Sequence, residues 1–346
     1  MVEGLVRALT RLRPDLEIVL VTGRHGAQDL AAAGPLVREA REAAGTVDPS
    51  FEAERLPDLV REVRPDVYHA TCFVLPDLPL PCRTVVTLHD ACVRRRPELV
   101  RPGLRELLDR ATEVSLARAD AVATVSEFSR REIAAGYGVP PGRIEVVPNG
   151  VDDAFFEASP PAPGVPERFW FFAGALEERK GLPEAIAGYA IHARRTRSAW
   201  PLLLAGSRGG GARIDPAALA READVAGLVR PLGPVDEPTL RSLYRAASGV
   251  LYLSRYEGFG LPALEALASG APTIATDGSA LPEVVGSAAL LVPERDPESV
   301  AAALDRLQGD CALTERLRLE GPPRARRFDW RAAARRCSCT TTGAWS

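Results

Sequence analysis

Lysine is nearly missing from this chain. Lys180 is the only one in 346 residues, although lysine and arginine together number 43. With abundant alanine, that bias follows a GC-rich coding preference more than a physical demand. An excess of either charge is missing too: 46 acidic residues leave a net charge of −3 and a pI near 6.0. A basic nucleic-acid binder, with a domain pI above about 9, is excluded. No apolar run approaches the roughly 18 residues needed to cross a bilayer. No leader-like segment opens the chain, since Met1 leads into a charged, amphipathic stretch. The six cysteines, Cys72, Cys82, Cys92, Cys311, Cys337 and Cys339, form no CxxC pair. Free thiols in a reducing compartment are expected. The glycines Gly206 to Gly211 follow a strand-like run without the GK[ST] of a phosphate-binding P-loop. No GxGxxG opens the first βα unit, and no DxD-like metal motif stands in a suitable loop. Disorder is excluded by 46% apolar and 26% charged residues.

What is present is a rhythm. Short apolar, β-branched runs alternate with amphipathic helical stretches, the pattern of βα units and parallel sheets. At about 150 residues per domain, the length suits two domains. The first helix carries Leu5, Val6, Leu9 and Leu12 at helical spacing. Strands are expected at Leu16–Val21, Asp66–Ala70, Thr84–Leu88, Ala121–Val125 and Ile144–Val147. Helices fall near Leu56–Val63, Leu104–Ala117 and Glu127–Ala135. Residues 157–168 hold four prolines in twelve and read as a linker. Strands resume at Phe169–Ala173, Pro201–Ala205, Leu228–Leu232, Val250–Leu253, Pro272–Ala275 and Ala288–Val292. Helices begin near Leu182, Pro216, Glu237, Leu261, Pro282, Pro297 and Leu313. The reading is a first α/β domain over 1–157, a linker over 158–168, a second α/β domain over 169–328, and a tail over 329–346. In that tail Arg331–Arg336 is helical in character, while residues 337–346 show no periodicity. Ligands of such sheets sit at the carboxyl ends of the strands, so a cleft between two facing domains is the expected site.

Three segments carry chemistry. The run Ser254–Gly270 places Glu257 at a strand end, then Gly258 and Gly260 in a turn. Pro262 suits the first turn of a helix, and Glu265 lies one turn further in. A strand, a glycine turn and a helix start make an anion site. Carboxylates there suit sugar hydroxyls, since each accepts two hydrogen bonds from a diol. In the second segment, Gly174–Gly181, Arg179 offers a planar donor fork and Lys180 a point charge, a pair suited to a diphosphate. The third, Thr87-Leu88-His89-Asp90, ends a strand of the first half, where His89 points into the expected cleft. His69 ends the preceding strand and is a candidate of the same type. His25 and His192 receive no role. Arg94–Arg96 and Arg324–Arg327 read as solvated faces, with weak contact to an anionic membrane as the functional alternative.

Taken together, these segments resemble the retaining glycosyltransferases of family 4. The most specific stretch is Y-E-G-F-G-L-P-A-L-E-A, with Glu257 and Glu265. Around it stand Thr87–Asp90, Ala119–Ser126, Val147–Val151, Gly174–Gly181, Leu232-Gly233, Leu281–Val284 and Phe328-Asp329-Trp330. The resemblance runs from about Met1 to Trp330. It is closest to the bacterial branch rich in mannosyl- and rhamnosyltransferases of cell-surface polysaccharide.

The resemblance implies the GT-B fold: two Rossmann-like domains with parallel sheets facing across a cleft. It implies a metal-independent hexosyltransferase that uses a nucleotide-diphosphate sugar, GDP-mannose or a UDP-sugar, as co-substrate and no other cofactor. Arg179 and Lys180 would take the diphosphate, with the backbone of Gly174, Gly258, Phe259, Gly260 and Leu261 beside it. Glu265 would bind the ribose, Glu257 the donor sugar, and the base would lie near Gly233. His89 would orient the sugar, and His69, Asp90, Ser126 and Asn149 would line the acceptor side. The acceptor would be a glycan, a lipid-linked or a small-molecule hydroxyl. The expected setting is the cytoplasm or the inner face of the cell membrane. The chain departs from the family in two ways. Ala175 stands where many members carry a basic residue, and the expected first strand with its glycine-rich loop is missing. An impaired nucleotide-sugar-binding remnant or scaffold is therefore the alternative function.

Overall fold

The computed structural model describes residues 1–23, 37–43, 56–76, 79–160, 162–196, 198–207 and 214–342. Residues 24–26 of the expected turn, with His25, and residues 208–211 of the glycine-rich loop lie outside them. The chain divides into two compact units. One comprises Met1–Arg95, Pro102–Gly150 and the segment from Phe328; the other comprises Arg96–Arg101 and Val151–Arg327.

The second unit follows the expected alternation closely. Its strands are β7 (Trp170–Ala173), β8 (Leu202–Ala205), β9 (Val229–Gly233), β10 (Gly249–Tyr252), β11 (Thr273–Thr276) and β12 (Leu290–Val292). They form one parallel sheet in the order β12-β11-β10-β7-β8-β9. The inner strands WFFA, LLLA, GVLY and TIAT are buried at every position. Helices cover both faces of such a sheet, so its strands read as continuous apolar runs. The helices are α6 (Leu182–Arg195), α7 (Pro216–Glu222), α8 (Glu237–Ala246), α9 (Leu261–Ala268), α10 (Leu281–Val285), α11 (Pro297–Gly309) and α12 (Cys311–Ala325). Asp215, Asp236, Asp296 and Asp310 each accept a backbone N–H at a helix start, about 1 kcal/mol per cap.

The first unit is less regular. Its helices are α1 (Val2–Leu12), α2 (Leu56–Val63), α3 (Cys92–Arg95), α4 (Pro102–Arg118) and α5 (Glu127–Tyr137). Strands β3 (Val67–Ala70), β4 (Arg83–Leu88), β5 (Ala121–Thr124) and β6 (Ile144–Val146) form a parallel sheet in that order. Strands β1 (Ile18–Gly23) and β2 (Val37–Ala43) make a separate parallel pair. The apolar pattern predicts five strands in this half, and β2 is the sixth. Its sequence, VREAREA, carries one β-branched residue, and pairing with β1 overrides a weak propensity.

The tail, too, is more regular than its composition predicts. Residues 337–342, which show no periodicity, complete a helix, α13 (Trp330–Thr342). Its apolar face is built from Ala333, Ala334 and Cys337, which bury against Leu5 and Ala8 of α1. Small residues let two helices approach closely, and their low hydrophobicity hides the periodicity. The Phe328-Asp329-Trp330 motif starts this helix. Asp329 accepts from the Ala332 N–H at 2.8 Å, and a Cβ on Gly4 or Gly150 would overlap Trp330. No described helix is long and apolar enough to cross a membrane. The five cysteines whose side chains are described are free thiols.

Candidate active site

The carboxyl edge of the second sheet is lined by glycine. Gly174 follows β7, Gly206 follows β8 and Gly233 ends β9, with φ of +148°, +150° and +76°. L-residues with side chains avoid these angles. Gly174 N–H donates to the Ala205 carbonyl at 3.0 Å, and Gly206 N–H to the Gly233 carbonyl at 2.9 Å. A Cβ on Gly206 would overlap the Gly174 carbonyl oxygen, whereas Gly174 and Gly233 face open space. The result is a backbone floor free of side chains.

Beside this floor, a 3-10 turn over Glu178–Lys180 leads into α6 through left-handed Gly181. A Cβ on Gly181 would overlap the Leu253 carbonyl oxygen. The turn is stitched to the end of β10. Arg255 N–H donates to the Arg179 carbonyl at 2.8 Å, and the Ser254 hydroxyl oxygen lies 3.2 Å from it. The buried Arg255 guanidinium adds ion pairs to Glu178 and Glu184, both at 2.6 Å.

This stitching brings Lys180 onto Glu257. The ammonium pairs with Glu257 Oε1, and the Ser254 hydroxyl donates to the same oxygen at 2.6 Å. Arg179 Nη1 stands 3.7 Å from it and donates to the Tyr256 carbonyl at 3.0 Å, while Nη2 lies 3.3 Å from Glu177. Burial pushes the Glu257 pKa up. The charges of Lys180 and Arg179 outweigh it, and the net direction is down, so Glu257 is a carboxylate. Phe259 is buried. Gly260, at φ +99°, caps α9, whose first turn holds Leu261 and Pro262. One turn further in, Glu265 lies 3.5 Å from the Tyr244 hydroxyl. Burial pushes its pKa up to about 7, against the pull of that hydroxyl. The two carboxylates of one motif thus differ: Glu257 is held ionised, and Glu265 titrates near neutrality.

In the first unit, His69 Nε2 lies 2.8 Å from Thr87 Oγ1. Burial, then the neighbouring His89, push the His69 pKa down to about 4. His89 Nε2 lies 2.9 Å from the Thr71 carbonyl. Asp90 accepts from the Cys92 N–H at 2.8 Å. Ser126 caps α5 by accepting from Ser129 N–H, which gives it a structural task. His69, Thr87 and Asn149 line a cavity of about 20 Å³, closed by Met1, Trp330 and Cys337. That is room for about one water.

The structure therefore gathers Glu257, Arg179, Lys180, Gly258, Phe259, Gly260 and Leu261 around one strand end, with Gly174 and Gly233 on the floor. Ser254, Arg255 and Glu184, to which the motifs assign no role, hold that cluster in shape. The signal was thin: a serine and an arginine just before Glu257, and a glutamate just after the lysine turn. His192, given no role, is buried with Nδ1 2.6 Å from Asp305 and Nε2 3.0 Å from Gln308; it fastens α6 to α11.

Two family models match the chain. Glycosyltransferase Family 4 covers residues 1–155, and Glycosyl transferases group 1 covers residues 167–310. The O-antigen chain mannosyltransferase B of Escherichia coli is 30% identical over 291 residues, covering 82% of this chain and 74% of that protein. The D-inositol 3-phosphate glycosyltransferase of Kineococcus radiotolerans is 33% identical over 240 residues, covering 62% of this chain and 55% of that protein. The structure of Anabaena HepE in complex with UDP and glucose superposes with a TM-score of 0.76 at 18% identity, covering 98% of this chain and 95% of that one. The fold is thus that of the GT-B glycosyltransferases, with two Rossmann-like parallel-sheet domains. The chain belongs to the family 4, group 1 glycosyltransferases.

Proposed function

We propose that this glycosyltransferase moves a mannose-like hexose from a nucleoside-diphosphate sugar to an acceptor hydroxyl, with retention of the anomeric configuration. The acceptor is a glycan, a lipid-linked or a small-molecule hydroxyl. The carrying observation is the Lys180–Glu257 pair at the end of β10, braced by Ser254 and Arg179. It puts the cations a diphosphate needs beside a carboxylate that accepts sugar hydroxyls. The E. coli mannosyltransferase relative favours mannose, and hence GDP-mannose as donor. HepE with UDP and glucose keeps UDP-sugars as the other donor class.

In this mechanism the C1–O bond to the β-phosphate breaks through an oxocarbenium-like state. Arg179 and Lys180 stabilise the charge that grows on the leaving diphosphate, in the role a divalent cation fills elsewhere. The acceptor oxygen bonds to C1 on the same face, and its proton passes to the departing phosphate. Glu257, ionised, holds the sugar's hydroxyls. Glu265 accepts from the ribose, and the base lies on the backbone near Gly233. His89 orients the sugar, with His69, Asp90 and Asn149 on the acceptor side. A cytoplasmic reaction, at or near the inner membrane face, fits such donors and lipid-linked acceptors.

The test is nucleotide release from a donor panel led by GDP-mannose, with NMR of the product anomer. Lys180→Ala combined with Arg179→Ala should cut transfer at least about 100-fold. EDTA should leave the wild type unchanged. Near-wild-type transfer in the double variant would remove both residues from the leaving-group role, and an inverted product overturns the mechanism. Donor binding without turnover would make the chain a nucleotide-sugar-binding scaffold.

A further inference from the structure

After β3 the chain passes through Thr71–Leu75. Within it, the Val74 N–H donates to the Cys72 carbonyl at 2.7 Å. That i→i+2 bond defines a γ-turn centred on Phe73, whose φ is +58°. A positive φ on a bulky aromatic is a strained choice, and the observed hand of the turn is the rare one. The Phe73 N–H anchors the turn by donating to the Thr87 carbonyl at 3.1 Å.

Two groups from this turn meet His89. The Thr71 carbonyl lies 2.9 Å from Nε2, and a carbonyl can only accept, so Nε2 carries a proton. The Phe73 ring stands edge-on to the imidazole, centroids 5.7 Å apart at 61°. The His89 backbone is held as well, its carbonyl accepting from the Ser129 hydroxyl at 2.9 Å. Burial pushes the imidazole pKa below its ordinary value, against the upward pull of the Thr71 carbonyl and Asp90. A neutral ring with its one proton on Nε2 keeps a bare lone pair on Nδ1. Among the described residues, no hydrogen bond is made by Nδ1.

We infer that the Phe73 γ-turn sets the tautomer and ring orientation of His89, so that Nδ1 faces substrate as a hydrogen-bond acceptor only. Phe73 is then a positioning residue, and the substrate group it selects is a hydroxyl that donates to Nδ1. This rests on the sugar-transfer reading for its kinetic consequence, but the tautomer can be measured without turnover.

The experiment is nitrogen NMR of the full chain with 15N-labelled histidine, the His89 signals assigned by their loss in His89→Gln. Transfer from GDP-mannose is measured in parallel. In the wild type, Nδ1 should resonate as a bare nitrogen and Nε2 as an N–H. Phe73→Gly deletes the ring that packs the turn against the core and against the imidazole, and glycine frees the backbone to leave the turn that aims the Thr71 carbonyl at Nε2. It should shift the tautomer ratio toward Nδ1–H and lower kcat roughly ten- to hundredfold, with KM for GDP-mannose changed less than about twofold. Phe73→Tyr, which keeps the ring, should restore both. A Phe73→Gly protein with a lower thermal midpoint and an unmoved tautomer ratio would assign Phe73 to stability alone and overturn the inference. So would a wild-type Nδ1 that carries the proton, whatever the turnover. A wild-type chain with Nδ1 bare and no sugar transfer overturns the proposed function and leaves the tautomer assignment standing.

Discussion

The two units spend the same number of described strands differently. The second sets six in one sheet, so only β9 and β12 are edges. The first divides six between a sheet of four and a pair, so β1, β2, β3 and β6 are all edges. An inner strand makes ladder bonds on both sides, each worth about 1 kcal/mol net, and an edge strand on one. The cohesion of the first unit therefore leans on helix packing. The first helix and the last one close it, through Leu5, Ala8, Ala333, Ala334 and Cys337. Regular sheet carries the Lys180–Glu257 cluster, and a looser assembly carries His69 and His89.

The strongest way to break this contrast is Gly206→Ala. The added methyl would overlap the Gly174 carbonyl at a backbone angle alanine avoids. A loss of about 3 kcal/mol is expected in the second unit, read as faster amide exchange in β7 and β8, with β3–β6 unaffected. Equal loss in both units would deny that they are separately stable. In the wild type, exchange should already separate the two: amides of β1 and β2 should be roughly 100-fold less protected than those of β7, β8 and β10.

Titration sharpens the contrast by sign. Glu265 has a raised pKa, about 7. Between its ordinary value near 4.5 and 7, the folded protein binds more protons than the unfolded one, so stability falls as pH rises. His69 has a lowered pKa, about 4. Between 4 and its ordinary 6.5 the unfolded chain binds more protons, so stability falls as pH drops. Glu265→Gln should remove the first trend and His69→Gln the second, each up to about 3 kcal/mol in denaturant titrations across that range. Trends of the same sign would refute the assignment.

Much of the second unit was legible in the sequence, because strands buried on both faces are written as unbroken apolar runs such as WFFA and LLLA. Strand β2 was not, since its partner rather than its composition makes it a strand. Nor was the end of α13, where alanine and cysteine do the packing that leucine usually announces. The candidate cluster was legible where charge and glycine coincide, at Glu257 and at Arg179-Lys180. Its bracing was not: Arg255 meets Glu178 and Glu184 only after the fold brings two distant turns together. The Phe73 turn was equally silent, for nothing in T-C-F-V-L signals a left-handed phenylalanine.

The scarcity of lysine has a practical side. Lys180 is the sole side-chain amine, and it is engaged with Glu257. Amine-directed reagents thus have a single side-chain address in this protein, and that address is the charged cluster around Glu257. Reductive methylation with carbon-13 would write one side-chain probe there. Its signal would report the loosening of the Glu257 contact as ligands arrive, without any engineered label.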